Sequence, residues 1–251
     1  MGEFTALIVA AGLGVRMGAR GRLTPKGLIA LDGLPLVRAS VMHLAARGVE
    51  RVRIVTGHLS ELYQQEFSAT PGVELIHNPD YATTGSLRSM MTGLAGLDGP
   101  LLVLESDIMY EPRALDPLIA AGSGMVLSGP TGAGDEVYVW ADAAGNLVDM
   151  SKQADHRGDA PRGELVGITA FTAAHVAAFR GTAEALLADR PKLDYEAGVV
   201  AFAQDTDFHC PLIPDLAWAE VDDEQMLAHA REHVWPRASA GLVEAARRKA
   251  I

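Results

Sequence analysis

The chain has 251 residues, 49% of them hydrophobic and 21% charged, with a formal net charge of −11. This balance excludes a disordered, collagen-like or coiled-coil protein, and no apolar run approaches the ~18–20 residues of a membrane span. The acidic excess argues against nucleic acid as a partner, and the lone Cys210 leaves no intrachain disulfide and no all-cysteine metal site. Met1–Ala11 lacks a basic leader region, so a cytoplasmic location is the default expectation. The charge is uneven: residues 1–60 hold eight Arg or Lys against three acids. The basic segment suits a small anion, and a chance distribution of surface charge would read the same.

Thr5–Ala10 is a continuous apolar run and predicts a strand buried on both faces, as in a parallel sheet. Gly12 and Gly14 break it. Leu34–Ala46 has helical spacing and ends at Gly48, a C-cap residue. Arg51–Thr56, Val73–His77 and Leu101–Glu105 predict further strands. Helices are expected over Ser60–Phe67, with Ser60 as N-cap, and over Ser86–Leu97. Strands alternating with helices at short spacing predict a doubly wound, mainly parallel, Rossmann-like α/β sheet. After about Gly122 the pattern changes. Met125–Ser128, Glu136–Trp140, Leu147–Ser151 and Glu164–Phe171 predict strands joined by short turns, a smaller antiparallel part on the acceptor side. Helices follow at Ala173–Ala188 and Tyr195–Ala203, then a strand near Leu216–Val221 and a helix from about Asp223. With no repeat or linker, residues 1–251 read as one domain, with 1–122 and 123–251 as its two parts.

Gly12-Leu-Gly-Val-Arg16 follows the first strand directly. Glycines let a backbone approach a phosphate closely and present its N–H groups to the anion. Arg16 and Lys26 add fixed positive charge. The loop is neither a dinucleotide fingerprint nor a Walker loop, because it lacks the third glycine and the Gly-Lys-Ser/Thr. Asp107 stands just past a buried strand. It is either a ligand at the carboxyl end of the sheet or a helix N-cap. Glu220 and Asp222 alternate along a strand and so share a face. Together the three suit a hard cation with oxygen ligands, although a solvated acidic turn would read the same at 220–222. Glu105 and Asp223 read as structural or exposed. His58, His77, His156 and His175 lack metal or triad spacing and read as structural.

The longer string Ala10-Ala-Gly-Leu-Gly-Val-Arg-Met17, followed by Pro25-Lys26, resembles the signature loop of the sugar-phosphate nucleotidyltransferases. The likeness continues through Leu34-Pro-Leu36 and Gly48–His58. Two departures are Gly18-Ala-Arg-Gly21 and Gly27, where relatives often carry other residues. Within that superfamily the chain looks nearest to the bacterial 2-aminoethylphosphonate and choline-phosphate cytidylyltransferases. The shared features are Val55-Thr-Gly-His58, Asn78-Pro-Asp-Tyr81 and Glu220-Val-Asp222.

The resemblance implies that CTP and a small phosphonate or phosphate react to give a CMP-linked product and pyrophosphate. It implies Arg16 and Lys26 as catalytic residues. Ala10, Ala11, Gly12, Gly14, Gly57, Thr84, Gly85 and Ser86 would bind the nucleotide, Ser86 and Thr84 as readers of the base. Asp107, Glu220 and Asp222 would hold Mg²⁺. Lys152 would hold the acceptor's phosphonate, and Tyr195, Glu196 and Glu164, with Asp135 as a weaker candidate, its amine. A homodimer is left open. UTP with a sugar or polyol phosphate is an alternative pairing, phosphocholine an alternative acceptor, and a nucleotide-sensing module without turnover a third reading.

Overall fold

The computed structural model describes residues 3–134, 136–240 and 242. Strand β1 (Thr5–Ala10) is paired along both edges and packed on both faces. Ala6, Ile8 and Ala10 join the core on one face, and Leu7 joins the core on the other. An apolar run is the only pattern that satisfies both. After the glycine loop come a single helical turn, α1 (Gly18–Gly21), and a hairpin of β2 (Ala30–Leu31) with β3 (Leu34–Pro35). Asp32 and Gly33 close it with φ of 50° and 81°, the left-handed pair that a two-residue turn requires.

Then α2 (Leu36–Ala45), β4 (Arg51–Thr56), α3 (Ser60–Phe67), β5 (Val73–His77), α4 (Ser86–Leu94) and β6 (Leu101–Glu105) alternate as expected. In space β6, β1, β4 and β5 are parallel neighbours in that order. The chain winds outward from β1 to β5, then returns to the other side of β1. The crevice beyond the carboxyl ends of β1 and β6 is thus the switch point where open α/β sheets bind ligands. Two expected caps are corrected. Ser60 is the first helical residue, behind Leu59 at φ 52°. Ala46, not Gly48, holds the C-cap position of α2, and Gly48 lies two residues further on at φ 78°.

The rest of the chain runs β7 (Ile108–Tyr110), α5 (Asp116–Ala121), β8 (Gly124–Ser128), β9 (Tyr138–Ala141), β10 (Leu147–Ser151) and β11 (Gly163–Phe171). Strand β11 lies antiparallel beside β6 and pairs with both β8 and β9. The antiparallel part therefore extends the same nine-stranded mixed sheet and is not a sheet apart. Next come α6 (Ala173–Asp189), α7 (Tyr195–Ala203), β12 (Leu212–Ile213), β13 (Trp218–Glu220), α8 (Glu224–His229) and α9 (Trp235–Ala238). The C-terminal helices fold back onto the N-terminal segment. Leu227, Val234 and Trp235 share a third core with Met17, Leu31 and Leu36, and Trp235 Nε1 donates to Asp32 Oδ2 at 2.8 Å. The hairpin, β7 and β12 span two or three residues each, too few to leave a periodic signal in sequence.

Candidate active site

Gly14 adopts the left-handed region at φ 61°, which turns the loop so that Met17 N–H meets the Gly14 carbonyl at 3.1 Å. Gly21 packs against that same carbonyl, with no room for a Cβ. His58 ties the loop to the end of β4: its Nε2 lies 3.1 Å from the Gly21 carbonyl oxygen, and its N–H donates to Ala11 O. The unusual Gly18–Gly21 stretch is thus a close-packed support for the loop. Gly27 is equally constrained, since a Cβ there would stand 2.6 Å from Val37 and 2.7 Å from the Tyr63 hydroxyl.

Antiparallel pairing of β13 with β7 sets Glu220 opposite Ile108, and Val221 N–H donates to the Asp107 carbonyl at 2.9 Å. That register carries Glu220 and Asp222 to Asp107. No helix follows Asp107, so the N-cap alternative falls away. Lys26 Nζ donates to Asp107 Oδ2 at 2.8 Å and also contacts Asp222. Arg16 pairs with Asp222 and lies 3.9 Å from Glu220. Asp222 is only 1% exposed, so its charge is held by these two cations. Glu105, Asp107 and Glu220 offer carboxylate oxygens within 4.8 Å of one another. Burial raises the Asp107 carboxyl to about 6, against the pull of Arg16. Such a compressed set of oxygen donors fits a hard divalent cation, whose charge would relieve the crowding.

These groups open onto a cavity of about 510 Å³, within the ~300–1,000 Å³ usual for small-molecule sites. Gly12, Arg16, Lys26, Ser86, Asp107, Lys152, Tyr195, Glu196 and Glu220, all singled out in sequence, line it. Glu105 lines it too, which corrects its reading as a structural or exposed residue. Its Oε1 accepts a 2.6 Å hydrogen bond from the Tyr195 hydroxyl. Burial first, then the charges of Glu196, Asp107 and Glu220, push the Glu105 carboxyl well above the usual carboxylate range. Burial raises Glu196 to about 7; Asp194 adds to the rise and Lys152 opposes it. The Glu196 Oε2 atom is buried and has no hydrogen-bond partner among the described residues.

Other expected residues support the site from behind. Ala10 and Ala11 are buried under the loop. A Cβ on Gly57 would stand 2.6 Å from the Tyr81 ring and 2.7 Å from the Ala11 carbonyl oxygen. The Thr84 hydroxyl donates to Asp80 O at 2.8 Å. Gly85 packs on the 191–193 backbone and donates its N–H to Pro191 O. Ser86 Oγ donates to Asp194 and accepts from Tyr195 N–H at 2.8 Å, so the loop after β5 and the start of α7 form one wall. Glu164 Oε2 accepts from both the N–H and the hydroxyl of Thr131, at 2.9 and 2.7 Å, and anchors a loop that lines the cavity. Asp135 lies outside the described residues. Gln225, Met226 and His229 of α8 also face the cavity. Sequence reading missed them because nothing in a short amphipathic helix signals which strand it will cover. Asp223 caps that helix through Met226 N–H at 2.8 Å.

A glycine loop, two cations and a set of carboxylates at the switch point define an α/β nucleotide-handling domain. Residues 6–184 match the family described as the MobA-like NTP transferase domain, and the chain belongs to that family. The resemblance read from the signature loop is borne out. CMP-5'-(3-aminopropyl)phosphonate synthase of Streptomyces rubellomurinus is 34% identical over 230 residues, covering 87% of this chain and 37% of that protein. The chain thus spans little more than a third of that relative's length. 2-Aminoethylphosphonate cytidylyltransferase of Lancefieldella rimae is 31% identical over 175 residues, 67% of either protein. Among solved structures, CTP:phosphocholine cytidylyltransferase from Streptococcus pneumoniae superposes with a TM-score of 0.79 at 19% identity, covering 92% of this chain and 98% of that one. Inositol-1-phosphate CTP transferase from T. maritima gives 0.74 at 17% identity, over 95% and 97%. Both share the fold. No helix among the described residues is long and apolar enough to cross a membrane.

Proposed function

We propose that the chain is a Mg²⁺-dependent cytidylyltransferase that joins CTP to a small aminoalkyl phosphonate, with 2-aminoethylphosphonate the first candidate. One observation carries the acceptor: Glu196 presents a buried carboxylate oxygen without a partner in the same cavity as Arg16 and Lys26. A buried, unpartnered carboxylate is costly and is matched by a cation on the ligand. Tyr195 and Trp218 are the only Phe, Tyr or Trp side chains among the described lining residues. Two rings favour a primary ammonium over a quaternary one, which selects for an aromatic cage. The names of the two curated relatives support the same acceptor class.

In this reading an acceptor phosphonate oxygen attacks the α-phosphorus of CTP. A new P–O bond forms, the bond to the bridging oxygen breaks, and its electron pair leaves with pyrophosphate. No general base is required, because an acceptor with a second pKa near ~6 is already largely dianionic at neutral pH. Arg16 and Lys26 hold the triphosphate and offset the charge gathering on the leaving group. Asp107 and Glu220, with Asp222 behind them, would hold the metal, which when bound neutralises phosphate oxygens. Lys152 takes the acceptor's phosphonate and Glu196 its ammonium. Nucleotide-side and acceptor-side strands share one sheet, which supports a single catalytic domain.

The test is pyrophosphate release with Mg²⁺. CTP and UTP are crossed against 2-aminoethylphosphonate, 3-aminopropylphosphonate, phosphocholine and glucose 1-phosphate. Turnover confined to CTP and an amine-bearing phosphonate is expected. Turnover with glucose 1-phosphate alone refutes the acceptor reading and leaves the loop and metal readings standing.

A further inference from the structure

Carboxylates and cations are unevenly matched across the cavity. Asp107 and Asp222 are paired with Lys26 and Arg16, and Glu220 lies within 3.9 Å of Arg16. Glu105 and Glu196 have no ion pair of 4 Å or less among the described residues. Among the described residues Glu105 accepts a hydrogen bond from the Tyr195 hydroxyl, and the positive charge of Lys152 is felt at Glu196. The seat of Glu105 is built for a carboxylate. Gly167, at φ 81°, lies under it, and a Cβ there would come within 2.9 Å of the carboxyl carbon. Tyr195 holds one oxygen from the other side. Tyr195 and Glu196 are adjacent at the start of α7, so one turn of helix delivers both the hydroxyl that holds Glu105 and a second carboxylate.

We propose that Glu105 is a specificity-determining residue that, with Glu196, forms a two-carboxylate subsite for the acceptor's primary ammonium, and that Tyr195 is the positioning residue that fixes Glu105 there. This rests on the proposed aminoalkyl acceptor. An ammonium has three N–H donors and no acceptor, so two carboxylates on different elements can take two of them at once. The buried Glu196 Oε2 without a partner supplies the independent sign that this part of the cavity expects a donor. Glu105 also stands within 4.8 Å of the candidate metal group. What favours the ammonium role is the hydroxyl on Oε1, which ties that oxygen to α7, the element that carries Glu196.

The experiment compares kcat/KM for 2-aminoethylphosphonate with that for n-propylphosphonate, its near-isostere with a methyl in place of the ammonium, at saturating CTP and Mg²⁺. Wild type and the Glu105→Gln and Tyr195→Phe variants are assayed by pyrophosphate release, and Mn²⁺ binding is followed by calorimetry. Glu105→Gln is expected to lower the amine-to-propyl ratio by about 10- to 100-fold, the worth of a hydrogen bond to a charged group, with Mn²⁺ affinity held within about threefold. Tyr195→Phe is expected to lower the same ratio by a few-fold, and it carries the test if Glu105→Gln does not fold. An unchanged ratio in the folded variants overturns the inference. So does an equal loss with both acceptors together with a loss of Mn²⁺ binding, which makes Glu105 a metal ligand. If wild type itself shows no preference for the amine, the proposed acceptor fails, and this subsite fails with it before any variant is read.

Discussion

Lys26→Met removes a cation that touches both Asp107 and Asp222. Its side chain is 16% exposed and its Nζ lies 2.8 Å from Asp107 Oδ2, so it acts in a largely dry setting with its geometry fixed in advance. Losing one such preorganised charge-stabilising donor costs ~2.7–4 kcal/mol in the transition state, or about 10²–10³ in kcat. The fold should suffer less. Stranding a buried charge outright costs ~3–5 kcal/mol, but Asp222 keeps Arg16 and Asp107 is partly wet, so about 1–3 kcal/mol is expected. In a domain of this size that is a melting point lower by several degrees. The assay is pyrophosphate release at saturating CTP and acceptor, beside urea unfolding followed by circular dichroism. Lys26→Arg, which keeps the charge, should recover part of the rate. A folded Lys26→Met variant with kcat within about threefold of wild type would refute the catalytic role.

Glu164→Ala should raise the acceptor KM and speed amide exchange over residues 130–134, because Thr131 loses its two short hydrogen bonds to Glu164 and keeps a 3.5 Å contact with Glu136. The amine-to-propyl ratio should stay put, and a fall in that ratio would return Glu164 to the amine subsite. Gly57→Ala should destabilise by ~1–3 kcal/mol through overpacking against Tyr81 and the Ala11 carbonyl; an unshifted thermal transition would contradict this. Chelation by EDTA should abolish turnover, and Asp107→Asn should weaken Mn²⁺ binding measured by calorimetry in the absence of substrates. His43 is buried beside Tyr110, and burial lowers it to about 4. The unfolded chain takes a proton near the ordinary 6.5 while the folded one does not, so stability falls as pH drops from 6.5 towards 4. That loss is up to about 3 kcal/mol, and it should shrink in His43→Leu, as read by urea midpoints at pH 7.5 and 5.

The parallel half of the fold was legible residue by residue. Thr5–Ala10, Arg51–Thr56, Val73–His77 and Leu101–Glu105 appear with the expected bounds. β1 and β6, buried almost throughout, write that burial into continuous apolar runs, whereas the edge strand β5 is half-buried and is marked instead by the Asn78-Pro79 that closes it. The glycine loop was legible for a similar reason: the conformations that Gly14 adopts and the space that Gly21 lacks are properties of short stretches of chain. Local sequence also marked Arg16, Lys26, Asp107 and Glu196 as chemistry-bearing.

What each of those groups faces was decided only in three dimensions. Glu105 was passed over because a carboxylate at a strand end looks like any exposed terminus. Its placement depends on Tyr195, 90 residues away, and on the missing side chain of Gly167. Thr84, Gly57 and Glu164, which the resemblance implies as ligand-binding residues, also make hydrogen bonds and packing contacts within the protein that no local pattern announces. The register of β13 on β7 and the fold-back of Trp235 onto Asp32 place Asp222 between two cations from the far end of the chain. Sequence fixes a strand by what its own side chains must bury. The meeting of charges from distant segments depends on the packing energy of the whole molecule, and no local pattern records it.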